Sequence, residues 1–307
     1  MNTRLQNLSA AQLDALIRRA SALASSGSCC PRQCGIDRSV SSPPCGAQHG
    51  VIRVAAFHPH KGEEPPVSGS SGAGNVFFSG CTLSCVFCQN FPFSHYNNGK
   101  DFSLEEFAQK LLDLQDRGVH NLNFTTFDHY ISETLAALRI VKDAIRVPIS
   151  NNCSGFFMPE TLSIALEFCD IFLYDVKYSD AALAARYSCG SDYVARSRAG
   201  LDMIFERGLP WTEEEGLLRS GLIIRHLVLP GALENTVGVL DDLARRRDDG
   251  LDFALSLMAQ YFPAFRSGDF PEIDRKLTEE EYDQAVDRME ELGFEGWAQE
   301  LEGEGGC

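Results

Sequence analysis

The stretch from Phe77 to Cys88, FFSGCTLSCVFC, decides the fold and the chemistry expected of this chain of 307 residues. It begins as an apolar strand and turns into a loop with three cysteines in a C-x3-C-x2-C spacing. From here on, apolar strand patterns alternate with helical patterns. Six strands separated by helices predict an α/β fold, in which a parallel sheet is connected by right-handed crossovers.

Short sequence signals place the elements of this predicted sheet. Ser9, Ser103 and Thr278 each begin a capping box, which predicts the first turn of a helix. The six strands are predicted at residues 75–79, 121–125, 147–150, 171–175, 222–229 and 253–258. The clearest helical patterns between them lie at residues 131–145, 159–168 and 193–207. The stretch 25–46 lacks periodicity and is predicted to be a loop.

Composition and charge exclude several classes of protein. The formal net charge is −16, whereas a nucleic-acid-binding protein usually shows a basic stripe, so no nucleic acid is expected as a partner. No apolar run approaches the ~20 residues needed to span a bilayer, and the N-terminus shows neither a signal peptide nor a transit sequence. The sequence therefore predicts a cytoplasmic protein without a membrane segment. In a reducing compartment, 11 cysteines favour metal or redox chemistry over disulfides.

Cys81, Cys85 and Cys88 have the spacing of ligands that wrap one inorganic cluster. Thiolates are the ligands of iron–sulfur clusters, and three of them so close in sequence can surround one cluster from a tight loop. A [4Fe-4S] cube has four irons, so three cysteines leave one iron open, just as catalytic zinc sites keep an open position. The amino and carboxylate groups of S-adenosylmethionine (SAM) can chelate such an iron. The alternatives are a zinc site that lacks its fourth ligand and three unrelated buried cysteines.

The cysteine spacing, with Phe87 directly before the third cysteine, resembles the signature of the radical SAM enzymes. Across about three-quarters of the chain, from Cys30 to Pro263, further blocks resemble a PflX-type branch of the relatives of pyruvate formate-lyase activating enzyme. These blocks are Cys30-Pro31-Arg32-Gln33-Cys34, Cys45-Gly46, Gly62-Glu63-Glu64-Pro65-Pro66, Ser68-Gly69, Ser154-Gly155, Asp175-Val176-Lys177-Tyr178, Arg225-His226-Leu227-Val228-Leu229-Pro230-Gly231 and Leu257-Met258-Ala259-Gln260-Tyr261.

The resemblance implies the architecture and the domain organisation. It implies an open (β/α)6 partial TIM barrel of the radical SAM type, preceded by an N-terminal helix and a cysteine-bearing loop segment. Residues 1–56 would form that N-terminal part, residues 57–265 the partial barrel, and residues 266–307 a C-terminal helix and acidic tail. The cluster and SAM would lie at the carboxyl ends of the strands, where ligands sit in parallel β/α folds.

In the activating enzymes, groups at successive strand ends hold SAM, and the resemblance carries these roles onto six positions of this chain. They are Thr125, Thr126, Asn152, Asp175, Lys177 and Arg225. Their chemistry fits the role, because Arg225 can grip a carboxylate with two hydrogen bonds and Lys177 supplies a point charge. Structural alternatives stand beside these roles. Asp175 and Lys177 could form a strand-end ion pair, Arg225 could face solvent, and threonines after a strand are common turn residues.

The chain departs from the activating enzymes after the second strand. Those enzymes carry a Gly-Gly-Glu segment whose backbone meets the amino group of SAM, whereas this chain has NFTTFDH at residues 123–129. We therefore expect the amino group to be held differently, with Asp128 as the candidate. A second departure is Gly27, where the branch tends to carry a further cysteine that Cys29 could replace. His226 is expected to be structural.

Cysteines of the N-terminal loop form a second candidate metal site. They are Cys30, Cys34 and Cys45. They could ligate zinc, an auxiliary iron–sulfur cluster, or nothing, because thiolates suit tetrahedral zinc and a cubane equally. Cys29 is left out because adjacent cysteines seldom bind one metal together, and His49 or His58 could supply a further ligand. Since the free energy of metal binding becomes free energy of folding, a metal would order this loop, and we predict one near the barrel mouth.

Three functions are compatible with these features. The first is an enzyme that reductively cleaves SAM at a [4Fe-4S] cluster and uses the 5′-deoxyadenosyl radical to activate a glycyl-radical enzyme, a separate protein substrate. The second is a radical SAM enzyme that acts on a small molecule or installs another protein modification. The third is a non-catalytic iron–sulfur or zinc protein, against which the polar strand ends argue, because an electron carrier needs no SAM pocket. An electron donor such as flavodoxin or ferredoxin would be a partner of the first two.

Overall fold

The computed structural model describes residues 2–301, and its centre is one ten-stranded sheet. The strands are β1 (Ile52–His60), β2 (Ala73–Phe78), β3 (Lys100–Phe102), β4 (Leu122–Thr125), β5 (Ile149–Cys153), β6 (Ile171–Asp175), β7 (Thr212–Glu214), β8 (Leu217–Leu227), β9 (Ala254–Met258) and β10 (Gly296–Ala298). The helices are α1 (Arg4–Asn7), α2 (Ala10–Ser25), α3 (Pro65–Ser68), α4 (Phe91–Ser94), α5 (Leu104–Gln115), α6 (Ile131–Val141), α7 (Pro159–Phe168), α8 (Ala181–Tyr187), α9 (Tyr193–Arg207), α10 (Leu233–Asp248) and α11 (Glu279–Glu291).

The parallel part of the sheet follows the order β2-β4-β5-β6-β8-β9. Every neighbouring pair in this row is parallel, and helices cross between the strands. β10 adds a further parallel strand beside β9, whereas β1 and β3 lie antiparallel at the opposite edge. Within the described residues the edge strands β3 and β10 do not pair with each other, so the sheet stays open. The predicted α/β fold with six parallel strands in an open barrel is confirmed.

Capping residues and apolar faces explain where the main helices form. Ser9, Ser103 and Thr278 each accept a hydrogen bond from the backbone N–H three residues on, and the side chain at that position bonds back to the cap. Pro159 begins α7, where its missing N–H loses no helical hydrogen bond. The buried faces of α5, α6 and α7 belong to the main hydrophobic core. Among residues 2–301, no helix is long and apolar enough to cross a membrane.

The sequence patterns missed the strands at both edges of the sheet. β1 pairs with β2 and runs through the predicted domain boundary at residue 56. β10 lies in the segment expected to be a helix and acidic tail, and it pairs with β9. β10 is the strand at one edge of the sheet, and β1 lies next to β3, the strand at the other edge. The pairing of such strands depends on their neighbours in the fold more than on local pattern. Residues 302–307 of the predicted acidic tail lie outside the described part of the chain.

The short helix α1, also missed by the sequence patterns, is fastened to the amino ends of the strands. The backbone N–H of Arg4 donates to Oδ1 of Asp170 (2.8 Å), and that of Ile149 donates to Oδ2 (2.9 Å). Burial raises the pKa of Asp170 to about 6. One carboxylate therefore joins the N-terminal helix to the beginnings of β5 and β6.

Inside the barrel, the side chains change from apolar to polar towards the carboxyl ends of the strands. Near the amino ends, Ile171, Leu173 and Ile223 form a small apolar cluster with Val67 of α3. Above this cluster, asparagine, glutamate and arginine side chains are buried between the strands. The polar carboxyl ends then enclose a cavity. The fold thus brings the strand-end residues predicted for function to one place.

Candidate active site

A cavity of about 440 Å³ opens at the carboxyl ends of the parallel strands. Its lining includes the three cysteines predicted for the cluster and the six strand-end positions predicted for SAM, namely Cys81, Cys85, Cys88, Thr125, Thr126, Asn152, Asp175, Lys177 and Arg225. Lining residues that the sequence did not assign to the site include His60, Glu63, Asn75, Phe77 and Gln260. The volume is that of a small-molecule site.

Cys81, Cys85 and Cys88 lie on the segment after β2, here called the cysteine loop (residues 81–88). Burial raises the pKa of Cys81 to about 11 and that of Cys85 to about 12. Both thiols therefore keep their protons at neutral pH until a metal displaces them. Ser84 has a left-handed backbone (φ 53°), which costs a non-glycine residue of order 1–3 kcal/mol and is typical of functional sites.

The donor set and its surroundings fit a thiolate-bound iron–sulfur cluster. Three thiols line one cavity, and soft thiolate ligands select zinc, copper(I) or iron–sulfur clusters. Burial disfavours the charged form of Lys177, but Asp175 and the nearby Cys85 and Cys88 outweigh this effect and raise the pKa of Lys177. A positive charge therefore faces the sulfur atoms of the cysteine loop, as an anionic cluster would require.

The end of β4 offers a polar group to a ligand. The hydroxyl of Thr125 is buried at the cavity and has no hydrogen-bond partner in the described structure. Thr126 follows with a left-handed backbone (φ 54°), and its N–H donates to the carbonyl of Asn152 (2.9 Å). Because buried hydroxyls are nearly always paired, the orphaned Thr125 group is a physical reason to expect a ligand here.

Asp175 and Lys177 form the ion pair that the sequence left open as the structural alternative. The Nζ of Lys177 lies 2.5 Å from Oδ2 of Asp175, and both side chains are mostly buried at the cavity. An ammonium has three N–H donors, and the hydrogen bond to Asp175 uses one of them. The pair can therefore still bind the charged end of a ligand.

Arg225 is held by two glutamates that the sequence did not assign to the site. Its Nε and Nη2 donate to the two oxygens of Glu64 at 2.8 and 2.5 Å, and Nη2 also reaches Oε2 of Glu63 at 2.6 Å. Burial disfavours the charged forms of these side chains, but their mutual attraction outweighs this effect. The carboxylates raise the pKa of Arg225, and Arg225 lowers the pKa of Glu64. Arg225 is 6 % exposed, so the alternative that it faces solvent is wrong.

Glu63 connects Arg225 to a hydrogen-bonded network of polar side chains at the cavity. Its Oε1 accepts hydrogen bonds from Asn75 (2.7 Å) and Asn123 (3.1 Å), and Asn123 also donates to Oδ1 of Asn75 (2.8 Å). The sequence pointed to this segment only through its resemblance block at residues 62–66. No local signal shows that the segment reaches β8, because Glu64 and Arg225 are 161 positions apart.

His226 is structural, in agreement with the expectation. Its Nδ1 lies 2.7 Å from the carbonyl of Val176, and its Nε2 lies 2.9 Å from the hydroxyl of Thr236. Burial lowers the pKa of His226 to about 4, so the ring is neutral. Since a carbonyl only accepts, Nδ1 carries the hydrogen, and the ring fixes the turn between Asp175 and Lys177.

The N-terminal cysteine segment (residues 28–50) packs directly on the cysteine loop. Arg32 donates from Nε to the carbonyl of Thr82 (2.7 Å) and from Nη2 to the hydroxyl of Ser84 (2.5 Å). Gly80 lies so close to Cys45 that an added Cβ would be 2.3 Å from the Cys45 carbonyl oxygen. The segment therefore supports the cysteine loop through residues that do not line the cavity.

The cysteines of this segment surround one buried arginine. Arg38 donates from Nη2 to the Sγ of Cys29 (2.6 Å) and from Nη1 to the carbonyl of His129. Burial opposes the charge of Arg38, but Cys29, Cys45 and Cys30 contribute to raising its pKa. In residues 2–301, no group of three or more His, Cys, Asp and Glu side chains is placed to hold a single metal ion. A second metal at Cys30, Cys34 and Cys45 stays a prediction.

Other residues considered at the sequence level lie elsewhere. Asp128 faces the cysteine loop, where its Oδ2 accepts a hydrogen bond from Thr82 (3.2 Å), and it does not line the described cavity. The Sγ of Cys34 lies 3.9 Å from the carbonyl of Gly27. His49 is largely exposed, with its Nδ1 4.0 Å from Glu133.

Sequence comparison identifies the class of the central domain. Residues 75–214 match the model of the Radical SAM superfamily. The matched range begins in β2, includes the cysteine loop and ends in β7. This part of the chain thus matches a radical SAM domain, and that superfamily implies a [4Fe-4S] cluster and SAM as cofactors.

Individual relatives are more distant. An uncharacterized protein of Methanocaldococcus jannaschii is 25% identical over 277 residues, which cover 87% of this chain and 75% of the relative. Methylornithine synthase, at 15% identity and a TM-score of 0.48, is matched over 98% of this chain and 83% of its own. Streptococcus suis SuiB bound to SAM gives 13% identity and a TM-score of 0.47 over 72% of this chain, and SuiB has also been solved with its precursor peptide SuiA. The match covers 48% of SuiB, about half of its length.

Proposed function

We propose that this chain is a radical SAM enzyme that reductively cleaves SAM at a [4Fe-4S] cluster held by Cys81, Cys85 and Cys88. The observation that carries the proposal is the shared cavity, in which three thiols of one loop face the polar ends of β4, β5, β6 and β8. When bound, the cluster and SAM supply the reductive cleavage of the sulfur–C5′ bond, which yields methionine and a 5′-deoxyadenosyl radical.

The residues around the cavity suit the two ends of SAM. Lys177 offers a positive charge to a carboxylate and Asp175 an acceptor to an ammonium group, so this pair suits the methionine end. The orphaned hydroxyl of Thr125 and the amide of Asn152 suit the ribose hydroxyls. Thr126 shapes the turn beside them through its left-handed backbone.

Arg225 has a positioning role in this proposal, because two carboxylates already occupy its Nε and Nη2. Its remaining nitrogen, Nη1, lies 3.3 Å from Oδ1 of Asn152. Since that oxygen accepts from Arg225, the two N–H groups of the Asn152 amide are left for a ligand. Arg225 therefore orients Asn152 while the glutamates hold the guanidinium in place.

We further propose a separate protein as the substrate, with activation of a glycyl-radical enzyme as the reaction and flavodoxin or ferredoxin as the electron donor. The support is the resemblance of the Cys30–Pro263 region to the activating enzymes. The sequence itself contains nothing that resembles a glycyl-radical loop, so the target would be another polypeptide. We place the enzyme in the cytoplasm, where its many thiols stay reduced.

Anaerobic reconstitution with iron and sulfide tests the central proposal. Reconstituted protein should show an electron paramagnetic resonance signal on reduction with dithionite and should convert SAM to 5′-deoxyadenosine. The triple alanine variant of Cys81, Cys85 and Cys88 should lose both, whereas Cys189→Ala, which removes an exposed thiol, should retain both. SAM cleavage by the triple variant would contradict the proposal. The addition that accelerates 5′-deoxyadenosine formation, a glycyl-radical protein or a small molecule, then decides the substrate class.

A further inference from the structure

The cysteine loop also contacts residues that do not line the cavity, and they form a surface that SAM and substrate do not need. We call it the outer face and define it by Arg32, His95, Tyr96, Phe265 and Arg266. Three of these residues bond to the loop backbone: Arg32 Nε to the Thr82 carbonyl at 2.7 Å, His95 Nε2 to the Cys85 carbonyl at 3.0 Å, and the Arg266 N–H to the Val86 carbonyl at 2.9 Å. The outer face is thus in direct contact with the segment that carries the three thiols.

Aromatic rings fill the space between the charged residues of the outer face. Phe265 stacks on His95 with ring centroids 4.1 Å apart and meets Tyr96 edge-on at 6.0 Å. Tyr96 is 62 % exposed and Phe262, close by in sequence, is 47 % exposed, which makes them two of the few large hydrophobic residues exposed in the described structure. Exposed aromatic residues together with arginine are typical of protein interfaces.

The charge of the outer face is opposite to that of the whole chain, which has a net charge of −16. Arg32 donates to neutral oxygens and forms no ion pair within the described residues. Arg266 is largely exposed and pairs with one carboxylate, Asp269, at 2.8 Å. Both arginines are anchored to the same short loop, Arg32 at the Thr82 carbonyl and Arg266 at the Val86 carbonyl. A local positive charge of this kind attracts an acidic partner.

We propose that the outer face binds an acidic electron-carrier protein, which delivers one electron to the cluster through the cysteine loop. The inference rests on the proposed function, because only a redox cluster on this loop needs such a donor. A substrate must enter the cavity, whereas an electron needs only a short path to the thiolates. A carrier bound to the outer face would provide this path and would leave the mouth of the cavity free for the substrate. In this step the reduced flavin or iron–sulfur centre of the carrier loses one electron and the cluster gains it, with no bond formed or broken. Electron-transfer complexes have small interfaces, so a docking surface built around a few exposed residues is sufficient.

The test uses the reconstituted holoenzyme and two purified acidic carriers, a flavodoxin in its hydroquinone form and a reduced plant-type ferredoxin. R266E reverses a charge of the outer face, and the control R198E reverses another exposed arginine that also pairs with an aspartate, Asp242. We expect R266E to weaken carrier binding about tenfold at low ionic strength and to slow cluster reduction similarly, with both effects shrinking as salt is added. R198E should behave as the wild type. D269N, which removes the negative partner of Arg266, should tighten binding.

Reduction by dithionite, which needs no docking site, separates the possible failures. If dithionite reduces every variant alike while R266E and R198E bind both carriers equally well, the outer face is not the docking site. If R266E disturbs the cysteine loop, dithionite also reduces this variant more slowly. The binding of the carriers to D269N and Y96A then decides whether the outer face is the docking site. Y96A should weaken binding at all salt concentrations, and wild-type binding by both variants would overturn the proposal. A wild type without a dithionite-reducible cluster would instead overturn the proposed function.

Discussion

Arg225 and Glu64 form a buried two-point ion pair, in which Nε and Nη2 of the arginine donate to separate oxygens of the carboxylate at 2.8 and 2.5 Å. The pair joins β8 to the residue that precedes α3. Removing one partner leaves the other charge buried and unpaired. The free-energy cost of that unpaired charge is larger than the net stabilisation that the intact pair provides.

E64A should therefore lower the free energy of unfolding by about 3–5 kcal/mol. The matched control is D241A, which breaks an ion pair with Arg288 (2.6 Å) between partly exposed side chains. That loss should cost less than about 1 kcal/mol. Urea denaturation of the metal-free protein measures both variants. Equal stability of E64A and D241A would show that the arginine finds other partners when Glu64 is absent.

K177A should keep the iron content of the reconstituted protein but weaken SAM binding. The ammonium is mostly buried beside Asp175, and a lost charged contact in such a place costs about 2–5 kcal/mol, which raises Kd about 30-fold or more. Titration calorimetry with SAM measures the change, and K110A, at an exposed position of α5, is the control. Unchanged affinity would assign the Asp175–Lys177 pair to structure alone.

Acidification should destabilise the protein through His226. Burial lowers the pKa of this residue to about 4 from its ordinary value of 6.5. Because the folded pKa is the lower one, the stability of the neutral ring is fully present above pH 6.5 and is lost as the pH falls towards 4. The loss amounts to at most about 3 kcal/mol. Asp170, whose pKa burial raises, acts in the opposite direction over this range.

H226Q isolates this contribution, because glutamine forms hydrogen bonds but does not titrate. The difference in unfolding free energy between wild type and H226Q should shrink as the pH falls from about 7 to about 4.5. H58Q, at an exposed position of β1, should leave the pH dependence of stability unchanged. A constant difference between wild type and H226Q would mean that the ring accepts a proton in the folded state at its ordinary pKa.

Alanine substitutions at two glycines distinguish steric hindrance next to the cysteine loop from backbone strain. Gly80 and Gly118 have almost the same left-handed φ, 83° and 82°. A Cβ at Gly80 would lie 2.3 Å from the carbonyl oxygen of Cys45, whereas a Cβ at Gly118 meets nothing within 4 Å. G118A should cost about 1 kcal/mol from strain alone. G80A should cost clearly more and also lower the iron bound per chain, and equal costs would contradict the tight packing at Gly80.

The N-terminal cysteines should still bind metal in the triple alanine variant of the cysteine loop. The expected ligands are Cys30, Cys34 and Cys45. Stoichiometric zinc or residual iron, measured by plasma mass spectrometry, would support a metal that orders the segment. Adding C30A, C34A and C45A should remove it. A folded, metal-free triple variant would show that Arg38 and its contacts hold this segment by themselves.

Local signals predicted most elements that carry the site. The apolar run of β6 and the proline that begins α7 define these elements at Ile171–Asp175 and Pro159–Phe168, as expected. The nine predicted cavity residues could be grouped from sequence, because parallel strands end at one edge of a sheet and their side chains meet there.

Contacts between distant segments could not be predicted in this way. Glu63 and Glu64 show no periodicity or cap that would relate them to Arg225, and the edge strand β10 pairs with β9 through backbone groups that any residue has. The approach of Arg32 to Thr82 likewise depends on how a loop folds over another loop. Such contacts arise from tertiary packing, which outweighs local preference.

The contact of Gly80 with Cys45 constrains the order of events during synthesis. The ribosome releases residues 28–50 before the cysteine loop, so the segment waits for a partner that emerges later. Until residues 80–88 have been synthesised, the segment lacks the surface on which Arg32 and Cys45 pack in the folded chain. Its cysteines therefore stay more accessible to solvent in the growing chain than in the finished protein, where Cys29 and Cys30 are buried.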